Sequence, residues 1–428
     1  QLKLGRASEH GQHRHAVRRE AARRVHAVPG AGARHPDDED GQGPAPQGLP
    51  RHVRQHRVQP PSPRPVPWPG AVAGLPDFRF ATIPDGLPPS DAASTQDAAA
   101  TCVSTMTTCL PHFKALLHGL NGAAGVPPVT CVVADASLTF SVIDAEQLTN
   151  GFLDTPVGWG RRMSKHMRLK DFPSFLRTTD RDDPMLNFTM HEVEHSDDAT
   201  AIIYNTFDAL EQPALDALRA AHPPTAYAVG PLNLLAERLV PAGGPLDALG
   251  SNLWKEDGAC LAWLDGKPPG SVVYVNYGSI AVMSNEQLVE FAWGLANSGH
   301  AFLWIVRPDL VNGDASAAAA LPPEFLEATR GRGLLASWCP QEEVLRHGAV
   351  GLFLKHSGWN SRLESLSAGV PMLSWPFFAE QQTNSLYKCM EWGVAMEVGD
   401  DARREVVESR IREAMAGEKG SEMRKRAT

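Results

Sequence analysis

The chain is poor in cysteine. Cys102, Cys109, Cys131, Cys260, Cys339 and Cys389 are scattered through 428 residues, and no two form a C-x-x-C pair. This spacing excludes a disulfide framework and a cysteine zinc knuckle, and it reads as the reduced thiols of a cytoplasmic protein. Positive charge is also short: the formal net charge is −9, which argues against nucleic acid as the main partner. No apolar run approaches the ~20 residues that a membrane helix needs, and the opening residues have no apolar signal core. The poorest stretch is 1–70, which contains no Ile, Phe, Tyr, Met, Cys, Thr or Asn. It is rich in Arg, His, Pro, Gly and Ala and shows neither the period of a strand nor that of a helix, so it is expected to be irregular.

From Leu75 onward the pattern changes. Phe78–Ile83 reads as a short strand, and Ala92–Asn121 as a helix with Leu110, Phe113, Leu116 and Leu117 on one face. Thr130–Ala134 is an apolar β run ending at Asp135, Pro184–Ser196 is helical, and Ala201–Thr206 is a strand. Pro231–Lys255, rich in Pro, Gly and Ala, is placed as a linker, with 236–255 as its core. Beyond it come the strands Ser271–Tyr277, Phe302–Val306 and Leu334–Trp338, separated by helical stretches such as Gln287–Ser298. Strands alternating with helices indicate parallel sheets and an α/β fold.

One stretch, Trp338 to Gln381, is the most informative. Ala349–Lys355 is a buried parallel strand by composition, His356-Ser357-Gly358 turns the chain, and Asn360 or Ser361 can cap the next helix, with Glu364 in its first turn. Gly369-Val370-Pro371 stops that helix and Met372–Pro376 is the next strand. The free N–H groups at such a helix start form an anion site, and a diphosphate suits it.

These residues resemble the donor-binding signature of plant family-1 UDP-glycosyltransferases: Trp338-Cys339-Pro340-Gln341, then His356-Ser357-Gly358-Trp359-Asn360-Ser361, then Glu364, then Glu380-Gln381. The likeness extends over roughly 70–428 and is strongest to the branch that glucosylates cyanohydrins, iridoid aglycones and similar small alcohols. It implies two Rossmann-like domains facing across a cleft (the GT-B arrangement): an incomplete acceptor domain over 71–235 and a UDP-sugar domain over 256–428. It further implies uracil stacking on Trp338, ribose contacts from Gln341 and Glu364, and diphosphate contacts from Ser279, His356, Asn360 and Ser361. Cys339, Gly358 and Trp359 belong to the same signature, and Glu380 and Gln381 would read the sugar hydroxyls, with Gln381 associated with glucose. Helix N–H groups and His356 would balance the UDP charge, so no metal and no cofactor beyond the UDP-glucose donor is implied. The partners are that donor and a small hydrophobic alcohol, and the protein is expected to be a monomer. Lys355, Ser357 and Arg362 depart from the usual Thr, Cys and Thr of the signature.

The resemblance also marks what is missing. In the family a histidine near the start is the general base, oriented by an aspartate that Asp135 resembles. Members open with a strand and turn similar to Gly-His-Val-Thr-Pro-Met-Met-Lys-Met-Ala-Lys-Val. A coding sequence for that peptide, read one base out of frame, gives Ala-Arg-His-Pro-Asp-Asp-Glu-Asp-Gly-Gln-Gly, which is Ala33 to Gly43 here. Residues 1–70 are therefore read as an out-of-frame segment, in which His35 is not the base. A strand–helix unit of ~30 residues is absent after Ser141, and the closing helix is cut short within Glu418–Ala427. Three readings follow: an inverting glucosyltransferase, a UDP-sugar-binding remnant without turnover, and a zinc hydrolase built on His191 and His195, because His191-Glu192-Val193-Glu194-His195 fits H-E-x-x-H.

Overall fold

The strands of the second sheet are apolar except at their last positions, where Asn276, Lys355, Ser374 and Glu397 stand, as burial on both faces requires. The computed structural model describes residues 2–4, 26–30, 80–87, 98–123, 132–135, 152–158, 163–178, 182–221, 225–240, 256–311, 320–399 and 402–428, with 129 and 180 between them. Strands are numbered along the chain: β1 (Leu2–Leu4), β2 (His26–Gly30), β3 (Phe80–Pro84), β4 (Val133–Asp135), β5 (Ala201–Tyr204) and β6 (Thr225–Ala228). The later six are β7 (Val272–Asn276), β8 (Ala301–Ile305), β9 (Gly333–Ala336), β10 (Val350–Lys355), β11 (Met372–Ser374) and β12 (Ala395–Glu397).

β7 to β12 form one six-stranded sheet in the order β12-β11-β10-β7-β8-β9, every pair parallel. Counted from β7 this is the doubly wound order 3-2-1-4-5-6, whose ligand crevice opens where the order reverses, between the carboxyl ends of β7 and β10. Alternate residues feed two cores. Val273, Val275, Leu352 and Leu354 pack on one face with Phe291, Trp304 and Phe325. Val272, Tyr274, Leu303 and Phe353 pack on the other with Leu264 and Val344.

The first sheet has the order β4-β1-β5-β6. β1 runs antiparallel to both β4 and β5, while β5 and β6 are parallel, so the sheet is mixed and not parallel throughout. β2 and β3 pair separately, in parallel. Two strands therefore fall within 1–70, one of them inside the first sheet, which corrects the expectation of an irregular segment.

Other boundaries shift for local reasons. Leu232–Leu239 is a helix, so the linker begins later than expected; 241–255 lies outside the described residues, as does 136–151, where the missing unit was placed. The helix expected over Ala92–Asn121 is described from Ala98 to Gly122, with a π turn at Thr105–Cys109. Its expected apolar face is not sealed: Leu110 is exposed, and Phe113, Leu116 and Leu117 are only part-buried. No helix among the described residues is long and apolar enough to cross a membrane.

The two sheets are joined by packing as well as by the chain. Val157, Met167, Leu169, Phe172, Leu176 and Leu186 close on Leu386, with Tyr387 beside them. Ser164 adds polar contacts, its N–H to the Tyr387 hydroxyl (3.1 Å) and its hydroxyl to Glu391 (2.5 Å).

Candidate active site

At the switch point, β10 ends on Lys355 and the chain reverses through His356 and Ser357. Ser357 adopts φ 76°, a left-handed value that side chains other than glycine seldom take. Trp359 then opens the helix Trp359–Ser367, with Gly358 in the N-cap position and no side chain capping it. This corrects the expected cap. The tight turn starts the helix earlier, so Asn360 and Ser361 lie in its first turn and Glu364 lies beyond it. Asn360 and Glu364 are four residues apart and share a face. The uncapped N–H groups open toward the crevice.

The ribose pair is preassembled. The Gln341 amide donates to Glu364 (2.6 Å), and its carbonyl oxygen accepts from Asn276 (2.8 Å) and the Tyr274 hydroxyl (3.1 Å). Asn276 and Tyr274, both buried on β7, were not read from the sequence as site residues; polar groups ending a buried strand are the signal that marks them. Trp338 is part-buried beside this network. The Cys339 side chain turns inward, 3.2 Å from the Tyr274 hydroxyl, and burial pushes its thiol up to about 12, so any ligand contact there is through its backbone.

His356 is held between two glycines. A Cβ on Gly278 would lie 2.4 Å from the imidazole, and one on Gly358 would lie 2.6 Å from it. Gly278, at φ 75°, begins the turn carrying Ser279. Arg307, also missed in the sequence, anchors that turn by donating to the carbonyls of Gly278 and Ala281, and it pairs with Asp309 at 3.1 Å. Burial, together with the nearby charges of Lys355, Lys388 and Arg307, pulls His356 down to about 3. Burial and these neighbouring charges disfavour a protonated His356.

Three basic side chains lie wholly buried around the turn. The Lys355 ammonium lies beneath the turn, donating to the Gly358 carbonyl (3.0 Å) and to the Ser361 hydroxyl. Lys388 donates to the Ser357 hydroxyl at 2.9 Å. The Arg362 guanidinium is stacked 3.5 Å over the Trp359 ring and 4.7 Å over that of Trp392. Neither Lys355 nor Arg362 crowds the turn from the crevice side. Burial pulls Lys355 well down, Lys388 to about 7 and Arg362 to about 9.

Glu380 is exposed, and Gln381 is buried at the start of the next helix. The Gln381 carbonyl oxygen accepts from the backbone N–H groups of Phe377 (2.8 Å) and Phe378 (3.3 Å), which leaves its NH₂ to meet a ligand. This loop docks on the first half, where Ser174 bonds Ala379 in both directions (2.8 and 3.1 Å).

Asp135 ends β4, paired with Leu2; its side chain lies outside the described parts. His191 and His195 lie at the end of the helix Pro184–Glu194, where His195 is the C-cap. Their rings stack at 4.2 Å, and His195 Nδ1 is 2.9 Å from the His191 carbonyl oxygen. Among the described residues no third His, Cys, Asp or Glu completes a metal-binding group with them.

Comparison with known proteins agrees with this geometry. Residues 259–417 match the family described as UDP-glucoronosyl and UDP-glucosyl transferase. The chain is 50% identical over 395 residues to (R)-mandelonitrile beta-glucosyltransferase of Prunus dulcis, covering 83% of this chain and 81% of that protein. It is 51% identical over 399 residues to 7-deoxyloganetin glucosyltransferase of Gardenia jasminoides, covering 84% and 82%. The chain belongs to the plant family-1 UDP-glycosyltransferases. Among solved structures it is similar to Os79 of O. sativa in complex with UDP (TM-score 0.67, 26% identity, 84% of this chain and 85% of that one). It is also similar to a UDP-glucosyltransferase of Polygonum tinctorium capable of glucosylating indoxyl (TM-score 0.61, 28% identity, 82% and 80%). Family membership and the incomplete histidine pair together displace the zinc-hydrolase reading.

Proposed function

We propose that this glycosyltransferase binds UDP-glucose at the β7/β10 crevice and transfers glucose, with inversion, to the hydroxyl of a small plant-type alcohol. The observation that carries the reading is the preassembled Gln341–Glu364 pair beside Trp338, one turn from the uncapped helix start. Uracil stacks on Trp338, the Glu364 carboxylate accepts from the ribose hydroxyls, and the diphosphate lies on the N–H groups above Lys355. The positive end of this helix opposes the diphosphate charge, so the reading invokes no metal. The acceptor oxygen attacks the anomeric carbon, the bond to UDP breaks on the opposite face, and the hydroxyl proton passes to a base. The acceptor domain, 71–235, would supply that base, oriented by Asp135. The named relatives support glucose as the sugar and a small alcohol as the acceptor; the scattered cysteines support a cytoplasmic location.

The sequence carries no Gly-His-Val-Thr-Pro turn like the one that holds the family's base, and this favours a second reading, in which the chain binds donor and turns over little. Calorimetry with UDP, alongside a chromatographic assay for glucoside formation from UDP-glucose and mandelonitrile, tests both. Submillimolar UDP binding supports the site; no binding refutes it. Rapid glucoside formation refutes the second reading.

A further inference from the structure

Asn205 follows β5, in the half of the molecule opposite the donor helix, and it touches that helix at its first turn. The Trp359 indole N–H donates to the Asn205 carbonyl oxygen at 2.8 Å. The Asn205 side chain makes two further bonds. Its Oδ1 accepts from the backbone N–H of Leu232 at 3.0 Å, and its Nδ2 donates to Oδ1 of Asn360 at 3.3 Å. The surroundings are tight: a Cβ on Gly230 would lie 2.5 Å from Asn205 Oδ1.

The order of these bonds carries information. A carboxamide has one accepting and one donating end, and the two look alike until a partner of fixed polarity meets one of them. A backbone N–H can only donate. The Leu232 N–H therefore fixes the oxygen of Asn205 on its side and turns the Asn205 NH₂ toward Asn360. That NH₂ can only donate, so it holds the oxygen of Asn360 and leaves the Asn360 NH₂ as the free end. We propose that Asn205 is a positioning residue for donor binding, acting through Asn360, so that the amide at the helix start presents hydrogen-bond donors to the diphosphate. This rests on the donor site proposed above. It also couples the halves, because the Asn205 carbonyl, the Leu232 N–H and the Asn360 amide must all be in place.

The test compares UDP with uridine by calorimetry on the full chain; uridine lacks the diphosphate and reports the base and ribose contacts alone. Asn205→Ala frees the Asn360 amide to rotate and should weaken UDP roughly two- to fivefold. Asn205→Asp is closer in shape but has no NH₂. It still accepts from Leu232, and its second oxygen turns the Asn360 NH₂ away from the diphosphate, so UDP should weaken roughly tenfold or more. Uridine should be unchanged in both variants. In an Asn360→Ala background the Asp substitution should lose most of its effect, because its route is gone. A structural role alone predicts the reverse order, with Asp milder than Ala, and that order overturns the proposal. An undiminished Asp effect in the Asn360→Ala background also overturns it, since it would mean repulsion through space. Should Asn205 variants fail to fold, Leu232→Pro decides. Leu232 is the first residue of its helix, where proline is tolerated, and the substitution removes the N–H that orients Asn205 while replacing an exposed side chain. It should weaken UDP severalfold and spare uridine; equal UDP affinity refutes the relay. If the unaltered chain binds no UDP, the donor site itself is misassigned; if it binds UDP and every variant matches it, only the relay is.

Discussion

The two halves of the molecule show what a sheet needs in order to hold a site. In the second half, strands of up to six residues are sealed on both faces, with Val273, Tyr274, Leu303 and Phe353 fully buried. In the first half, the strands that pair around β1 are three or four residues long, and the cluster packed on β5 is Ile202, Tyr204 and Leu215. The donor side chains issue from the strongly packed sheet, where strand ends are held at fixed positions. Catalysis depends on the weaker sheet. A donor site built on the strongly packed sheet, facing a sheet of shorter strands, should bind better than it reacts.

The largest expected effect breaks this comparison directly. Replacing residues 1–70 with a segment that opens on Gly-His-Val-Thr-Pro-Met-Met-Lys-Met-Ala-Lys-Val, the turn the family resemblance implies, would supply a base histidine under the reading proposed above. General-base catalysis contributes ~10²–10⁴-fold, so glucoside formation should rise by about that factor while UDP affinity changes little. Equal rates before and after would show that a histidine already present serves as the base.

Packing gives the next contrast. Phe353→Ala, in the middle of β10, should destabilise the protein by ~3–5 kcal/mol, whereas Leu110→Ala, at an exposed position, should cost within ~0.5 kcal/mol. Urea unfolding followed by tryptophan fluorescence measures both. Similar costs would mean that the two halves are equally well packed.

At the site itself, Trp338→Ala should weaken UDP by ~1–3 kcal/mol, the range for aromatic–base stacking. Glu364→Ala should erase the preference for UDP over its 2′-deoxy analogue. Unchanged affinities in calorimetry would place the nucleotide elsewhere.

Much of the second half was legible in the sequence because its signals are local. Apolar runs marked β7, β8 and β10, and a contiguous motif placed Trp338, Gln341 and Glu364 together. What was not legible comes from distant segments. Asn276, Arg307 and Asn205 each stand at or just past the end of a strand, and Lys388 on a later helix; only the tertiary fold brings them to the turn at Ser357. The first half misled for the opposite reason. Composition over 1–70 gives no period, yet three-residue strands need none to pair, and the face of the Leu110–Gly122 helix was patterned for burial that the described residues do not provide.

The smallest effect concerns pH, and it separates the halves because the buried cations belong to only one of them. Lys388 has an ordinary value near 10.4 when unfolded and is pulled by burial to about 7 in the folded protein. Between those values the unfolded chain binds more protons than the folded one, so this group makes stability rise with pH across that window. Each pH unit inside it is worth at most ~1.4 kcal/mol for one group. Above about pH 8.5 the buried thiols act in the opposite sense. Cys389, pushed up to about 11, and Cys339, at about 12, keep their protons when folded, while an unfolded cysteine loses its own. The clean interval is therefore pH 7 to 8, where the melting temperature should climb. Lys388→Met, which keeps the stem and removes the charge, should flatten that climb and raise stability at pH 7. A slope unchanged by the substitution would mean that the Lys388 ammonium is solvated and that the turn at Ser357 rests on Lys355 alone.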